Sequence, residues 1–155
     1  MRAWLAGPGF LGSNAPALSD VTLILILITA ALFTLGRSLA RRDRIQAHRW
    51  VQTTSALLNA TVVLLVMVRA YLVHILPGIP ASLGQGDYAV TTAHALVGAT
   101  GLTFGLYVVL SANKVLPKSL RFHTYKPFMR AAYKLYMLAT LLGVAVYALV
   151  YVFSI

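Results

Sequence analysis

The sequence predicts an all-α fold: an integral membrane four-helix bundle in one domain over residues 1–155. Three observations predict it. The chain is 59% apolar and only 10% charged, with mean hydropathy +0.80, whereas soluble domains run at about 25% charged. Its apolar residues gather in four runs, at 21–36, 51–68 extending to 76, 89–112 and 128–153. The connections at 41–49, 77–88 and 113–126 are too short to fold as domains of their own. A helix needs about 20 mostly apolar residues to cross a hydrocarbon core roughly 30 Å thick. The expected spans are therefore 20–40, 50–76, 89–112 and 127–153.

Span one follows a segment rich in turn formers, Gly7-Pro8-Gly9 and Asn14-Ala15-Pro16, with no apolar run leading to a cleavage site. It reads as a signal anchor, with Ser19 or Asp20 as its N-cap and its N-terminus directed outward. Span two carries a polar stripe. At 100° per residue, Gln52, Ser55 and Asn59 fall near the direction of His48, and Arg69 and His74 lie further round. Polar side chains at membrane depth cost several kcal/mol by most estimates, so this stripe is expected to face the bundle interior.

Span three carries a lane of small residues behind His94, formed by Gly98, Gly101, Gly105 and Ala112. Such a lane admits a close helix neighbour, as in Gly-x-x-x-Gly packing, or leaves room for a flat macrocycle; packing is the default. Span four is expected to start at Pro127, a residue suited to the first helical position. Its Tyr133, Tyr136, Thr140, Gly143, Tyr147 and Tyr151 form a stripe expected to pack within the bundle with satisfied hydroxyls. Lys134 is expected to snorkel.

The formal net charge of +10 raises the question of nucleic acid. The positions of the charges answer it. Arg37, Arg41, Arg42, Arg44 and Arg49 lie between spans one and two, and Lys114, Lys118, Arg121, Lys126 and Arg130 bracket the connection between spans three and four. Both clusters fall on one side of the membrane, and the positive-inside rule makes these two basic loops cytoplasmic and both termini external. The charge is an orientation signal that also attracts anionic lipid headgroups, and no nucleic-acid partner is expected.

The chain has no cysteine, which excludes disulfides, thiolate metal sites, c-type haem attachment and cysteine nucleophiles. Its acids are Asp20, Asp43 and Asp87, all expected at membrane ends or in loops, so no carboxylate pair is expected. No phosphate-binding loop, zinc-peptidase or serine-hydrolase motif occurs, and nothing in the sequence predicts an enzyme.

Histidine remains. His48 and His123 lie on the basic side, and His74 and His94 on the opposite one. Imidazole is a common ligand of haem iron and other metals, and a bis-histidine haem needs one imidazole from each of two facing helices. The two pairs satisfy that in outline, for one haem or two. Arg69, about 7 Å deeper than His74 on the same helix, suits a haem propionate or a quinone carbonyl, and equally suits snorkelling to the headgroups. His48 and His74 would lie about 39 Å apart along one helix, more than the roughly 30 Å apolar core. They therefore suit two independent sites rather than one electron path. Four interfacial histidines without any ligand remain an open reading on the residues alone.

Ala47-His48-Arg49, His74, Ala93-His94-Ala95-Leu96, the basic loop with His123, and Gly143-Val144-Ala145-Val146-Tyr147 together resemble a family of small four-helix bacterial membrane proteins. These are grouped with the cytochrome oxidase assembly factor CtaM and its YozB relatives, and the resemblance covers about residues 20–153. It implies a multi-pass protein of the bacterial inner membrane that supports assembly of, or electron transfer in, a respiratory haem-copper oxidase, with His48, His74, His94 and His123 as the matching histidines. The alternative is a non-catalytic accessory subunit of a larger respiratory or photosynthetic complex with no cofactor of its own. A quinone-binding or ion-conducting bundle using Arg69 and Asn59 is a third reading.

Overall fold

The computed structural model describes residues 7–122 and 124–153. Four long helices dominate it: α1 (Ala17–Arg41), α2 (Ile45–Gly78), α3 (Gly86–Ala112) and α4 (Tyr125–Val152), each long and apolar enough to cross a membrane. Their outer faces carry exposed leucines such as Leu65, Leu96 and Leu141, the surface a bilayer solvates. All four helices begin a few residues before the apolar runs do. Hydropathy marks the part of a helix that lies in hydrocarbon, while backbone hydrogen bonding carries the helix on through its polar ends.

Two expected helix starts differ in detail. The N-cap of α1 is Pro16, which offers no side-chain cap; Ser19 and Asp20 lie within the helix, and Asp20 binds elsewhere. Helix α4 begins at Tyr125 after Thr124, so Pro127 occupies its first turn rather than its first position. The substitution of role costs nothing, because the amides of that turn lack intrahelical acceptors anyway. Helix α2 widens into π turns at Val63–Met67 and Tyr71–Ile75 and closes in a 3₁₀ turn at Leu76–Gly78, where Pro77 removes a donor.

The helices form a ring of two hairpins, α1 with α2 and α3 with α4, closed by α1 packing on α4. The contacts of α2 with α3 and of α1 with α4 are both much sparser than those within the hairpins. At the basic end, α1 and α3 finish in the same way. Arg44 N–H donates to Leu39 O at 3.0 Å and Asp43 N–H to Ala40 O at 3.3 Å, while Val115 N–H donates to Leu110 O at 3.0 Å and Lys114 N–H to Ser111 O at 3.1 Å. Asp43 and Lys114 take the left-handed conformation, with φ of 55° and 61°, that this Schellman ending requires.

The stripe on α4 packs against α1, with its hydroxyls satisfied as expected. Tyr133 Oη lies 3.1 Å from Thr34 Oγ1, Tyr136 Oη donates to Ile26 O at 3.2 Å, and Tyr151 Oη accepts from Ser19 Oγ at 3.1 Å. At the end remote from the basic loops, residues 7–16 fold back as a strap over α1 and α4. Gly9 N–H donates to Ala15 O at 2.9 Å and Asn14 N–H to Tyr151 O at 3.2 Å.

Candidate functional site

The polar stripe of α2 faces inward, as its periodicity predicts, only from His48 to Asn59; Arg69 and His74, expected to face inward with it, are exposed. His48 is buried, and its Nδ1 lies 2.8 Å from Gly36 O of α1. Four residues on, Gln52 Nε2 donates to Phe33 O at 3.2 Å. The two side chains grip α1 at Gly36, where a Cβ would sit 2.6 Å from Gln52 Nε2, so glycine leaves room for the Gln52 side chain. A carbonyl only accepts, so the Gly36 contact places the imidazole proton of His48 on Nδ1 and leaves Nε2 with its lone pair. This is the arrangement that metal-ligating histidines use, with the far nitrogen held by a backbone carbonyl.

His48 lines a cavity of about 90 Å³ between α2, α3 and α4, to which α1 contributes Phe33. Small-molecule sites are typically about 300–1,000 Å³, so this space has room for a few waters only. Along α2 the lining runs from His48 to Asn59, about 17 Å by helical rise. Gly101 and Gly105 of α3 form the facing wall, with Met129 and Tyr136 of α4 closing the side. The glycine lane is therefore not a helix-packing seam over its whole length. A Cβ on Gly98 or Gly105 would meet nothing within 4 Å, and one on Gly101 would make ordinary contact with Leu135 at 3.6 Å.

The other expected ligands are placed differently. His94, half-buried, turns to α4, where its Nδ1 lies 3.0 Å from Ala139 O and its Cε1 would lie 3.0 Å from a Cβ on Gly143. That contact also leaves Nε2 as the free nitrogen. His74 and Arg69 are exposed on α2, and neither they nor His94 lines the cavity. His123, the expected partner of His48, lies outside the described residues. Among the described residues no three His, Cys, Asp or Glu side chains come together as a metal site.

A haem asks for an imidazole Nε2, a slot walled by small residues, and a partner for its carboxylates. His48, the Gly101 and Gly105 wall, Arg49 and Met129 line one cavity and supply those residue types, but at about 90 Å³ it does not hold a macrocycle with the helices as they stand. Sequence reasoning did not single out Met129, because methionines scattered in sequence carry no spacing signal. It took Arg49 only as a mark of orientation. Compared with known protein families, with characterised proteins and with solved structures, the chain matches none.

Proposed function

We propose that this protein is a haem-handling protein of the bacterial inner membrane that supports a respiratory haem-copper oxidase, and that His48 is its haem ligand. The basic end, with Arg41, Arg42 and Arg44 in one connection and Lys118 and Arg121 in the other, faces the cytoplasm under the positive-inside rule, and both termini lie outside. The observation that carries the reading is the His48 imidazole, buried at the wall of the cavity with Nδ1 held by Gly36 O. The link to an oxidase rests on the resemblance to the CtaM and YozB group.

Bound to His48, haem would supply a one-electron redox centre. The Gly36 carbonyl would fix the imidazole tautomer, and the helices around the cavity would have to part to admit the macrocycle. The contact of α2 with α3, sparser than those within either hairpin, supports entry of a flat group from that side.

The test is an absorption titration of the detergent-solubilised protein with ferric haem, before and after reduction. A Soret band that is lost in His48→Ala and kept in His74→Ala is expected. In cells lacking the gene, oxidase activity falls and is restored by the wild-type chain but not by His48→Ala. A folded wild-type protein that takes up no haem overturns the reading; stoichiometric copurification of that colourless protein with a larger complex would favour the accessory-subunit alternative.

A further inference from the structure

The half of α2 remote from the basic loops carries Arg69 and His74, both exposed. Neither makes a hydrogen bond or an ion pair among the described residues. On a regular helix a spacing of five residues sets two side chains about 140° apart. The π turns change that. Val68 N–H donates to Val63 O and Leu76 N–H to Tyr71 O, each to the carbonyl five residues back. The half-buried positions Val63, Met67, Tyr71 and Ile75 accordingly recur every four residues, with Val66 beside them. Four residues per turn is about 90° per residue, which brings Arg69 and His74 within about 90° of each other on the side turned from the bundle.

Their heights also match. His74 stands three residues before Pro77, near the end of α2, and Arg69 lies about 7 Å deeper. An arginine at that depth lays its aliphatic stem along the helix and carries its guanidinium toward the headgroups, to the level of the His74 ring. The helix surface below is open and apolar, with Leu64, Leu65 and Val68 exposed. Arg49, at the basic end of the same helix, is about 30 Å away, so this is a separate positive site. The planar fork of arginine matches a phosphate in two parallel hydrogen bonds, and an imidazole N–H adds a further donor.

We propose that Arg69 and His74 together bind the phosphate of an anionic phospholipid in the leaflet remote from the basic loops, with its acyl chains along Leu64, Leu65 and Val68. A zwitterionic lipid offers the same phosphate beside a cation of its own, which the arginine repels, so the site prefers a headgroup of net negative charge. The site is independent of the His48 cavity and of what that cavity holds.

The chain has no cysteine, so Val73→Cys supplies one attachment point for a fluorophore beside the site, and Val152→Cys, exposed on α4 at the same end, supplies a reference. Each labelled full-length protein is reconstituted in phosphatidylcholine bilayers and titrated with phosphatidylglycerol or phosphatidylcholine bearing a nitroxide quencher near the headgroup. At Val73→Cys the phosphatidylglycerol quencher is expected to act at about fivefold lower mole fraction, the scale of one basic side chain beside anionic lipid; at Val152→Cys the two should quench alike. Adding Arg69→Ala should bring phosphatidylglycerol to the level of phosphatidylcholine and leave phosphatidylcholine quenching unchanged, which also reports an intact fold. Arg69→Lys and His74→Ala should each keep part of the preference. Equal quenching by both lipids at Val73→Cys, the same preference at Val152→Cys, or a preference that survives Arg69→Ala overturns the site. So does its loss on adding inorganic phosphate, which would mark a free anion as the ligand, or a Val73→Cys label shielded from both lipids, which would mark a second copy of the chain on this face.

Discussion

The Tyr147 hydroxyl donates to Asp20 Oδ1 at 2.5 Å, joining α4 to the first turn of α1 through a carboxylate with no exposed surface. The other oxygen of Asp20 accepts from Phe10 N–H at 2.6 Å and Leu11 N–H at 2.8 Å, and Ser13 Oγ lies 2.6 Å from Tyr147 Oη. The carboxylate thereby ties the strap to both helices. A buried ion is tolerated when all its lone pairs are used, and its place at the N-terminus of α1 adds the favourable end of the helix dipole.

Tyr147→Phe keeps the ring and removes one donor, so it should lower the melting temperature by about 2–4 °C, the shift expected from losing one hydrogen bond in a chain of this size. Asp20→Ala should do more, because the Phe10 and Leu11 amides lose their shared acceptor at once. Limited proteolysis checks this directly: the 7–16 strap should be cut faster in Asp20→Ala than in the wild type, with the helices unchanged by circular dichroism.

At the opposite end, Gly36 is expected to tolerate no side chain without a shift of Gln52. A Cβ there would lie 2.6 Å from Gln52 Nε2 and 2.9 Å from its Cδ. Overpacking of this sort costs about 1–3 kcal/mol, against a gain of up to about 1 kcal/mol in helix propensity from replacing glycine. Gly36→Ala should therefore be destabilising on the wild-type background. On a Gln52→Ala background the clash is absent, and the same substitution should be neutral or stabilising. Thermal unfolding of the four proteins as a double-mutant cycle measures the coupling.

The endings of α1 and α3 offer a change in the other direction. Lys114 holds φ of 61°, a conformation that costs an ordinary side chain roughly 1–2 kcal/mol and glycine almost nothing. Lys114→Gly should raise stability by about 0.5–1 kcal/mol after the greater chain entropy of unfolded glycine is counted. Thermal unfolding in detergent reads the difference, and a fall in stability would show that the Schellman ending does not limit that turn.

The parts of this structure that follow a helical period were legible in the sequence. The four spans, the inward stripe of His48, Gln52 and Asn59, and the Tyr133 to Tyr151 stripe on α4 all come from repeats near 3.6 residues, which side-chain burial imposes directly. The rest depends on distances between elements. Asp20 looked like a cap because it stands at a helix start; its true partners come from the aperiodic strap and from Tyr147 on the last helix. Its signal was its rarity, as one of three acids in the chain. Phase along a helix does not say which neighbour a side chain turns to: His94, paired in the sequence with His74, turns to Ala139 of α4.

The glycine lane separates packing from ligand binding by experiment. If Gly105 served close helix contact, a methyl group there would push α3 away and destabilise the bundle. A Cβ at Gly105 instead meets nothing within 4 Å, so Gly105→Ala should be stabilising by about 0.8–1.0 kcal/mol through helix propensity alone. Gly105→Leu should place its side chain in the cavity beside His48, leaving the bundle folded while abolishing the Soret band on haem addition. Thermal unfolding and absorption titration of the two variants give opposite readings for the two uses of glycine: unchanged or raised stability with lost haem uptake in Gly105→Leu marks a ligand slot, and loss of stability in Gly105→Ala marks a packing seam.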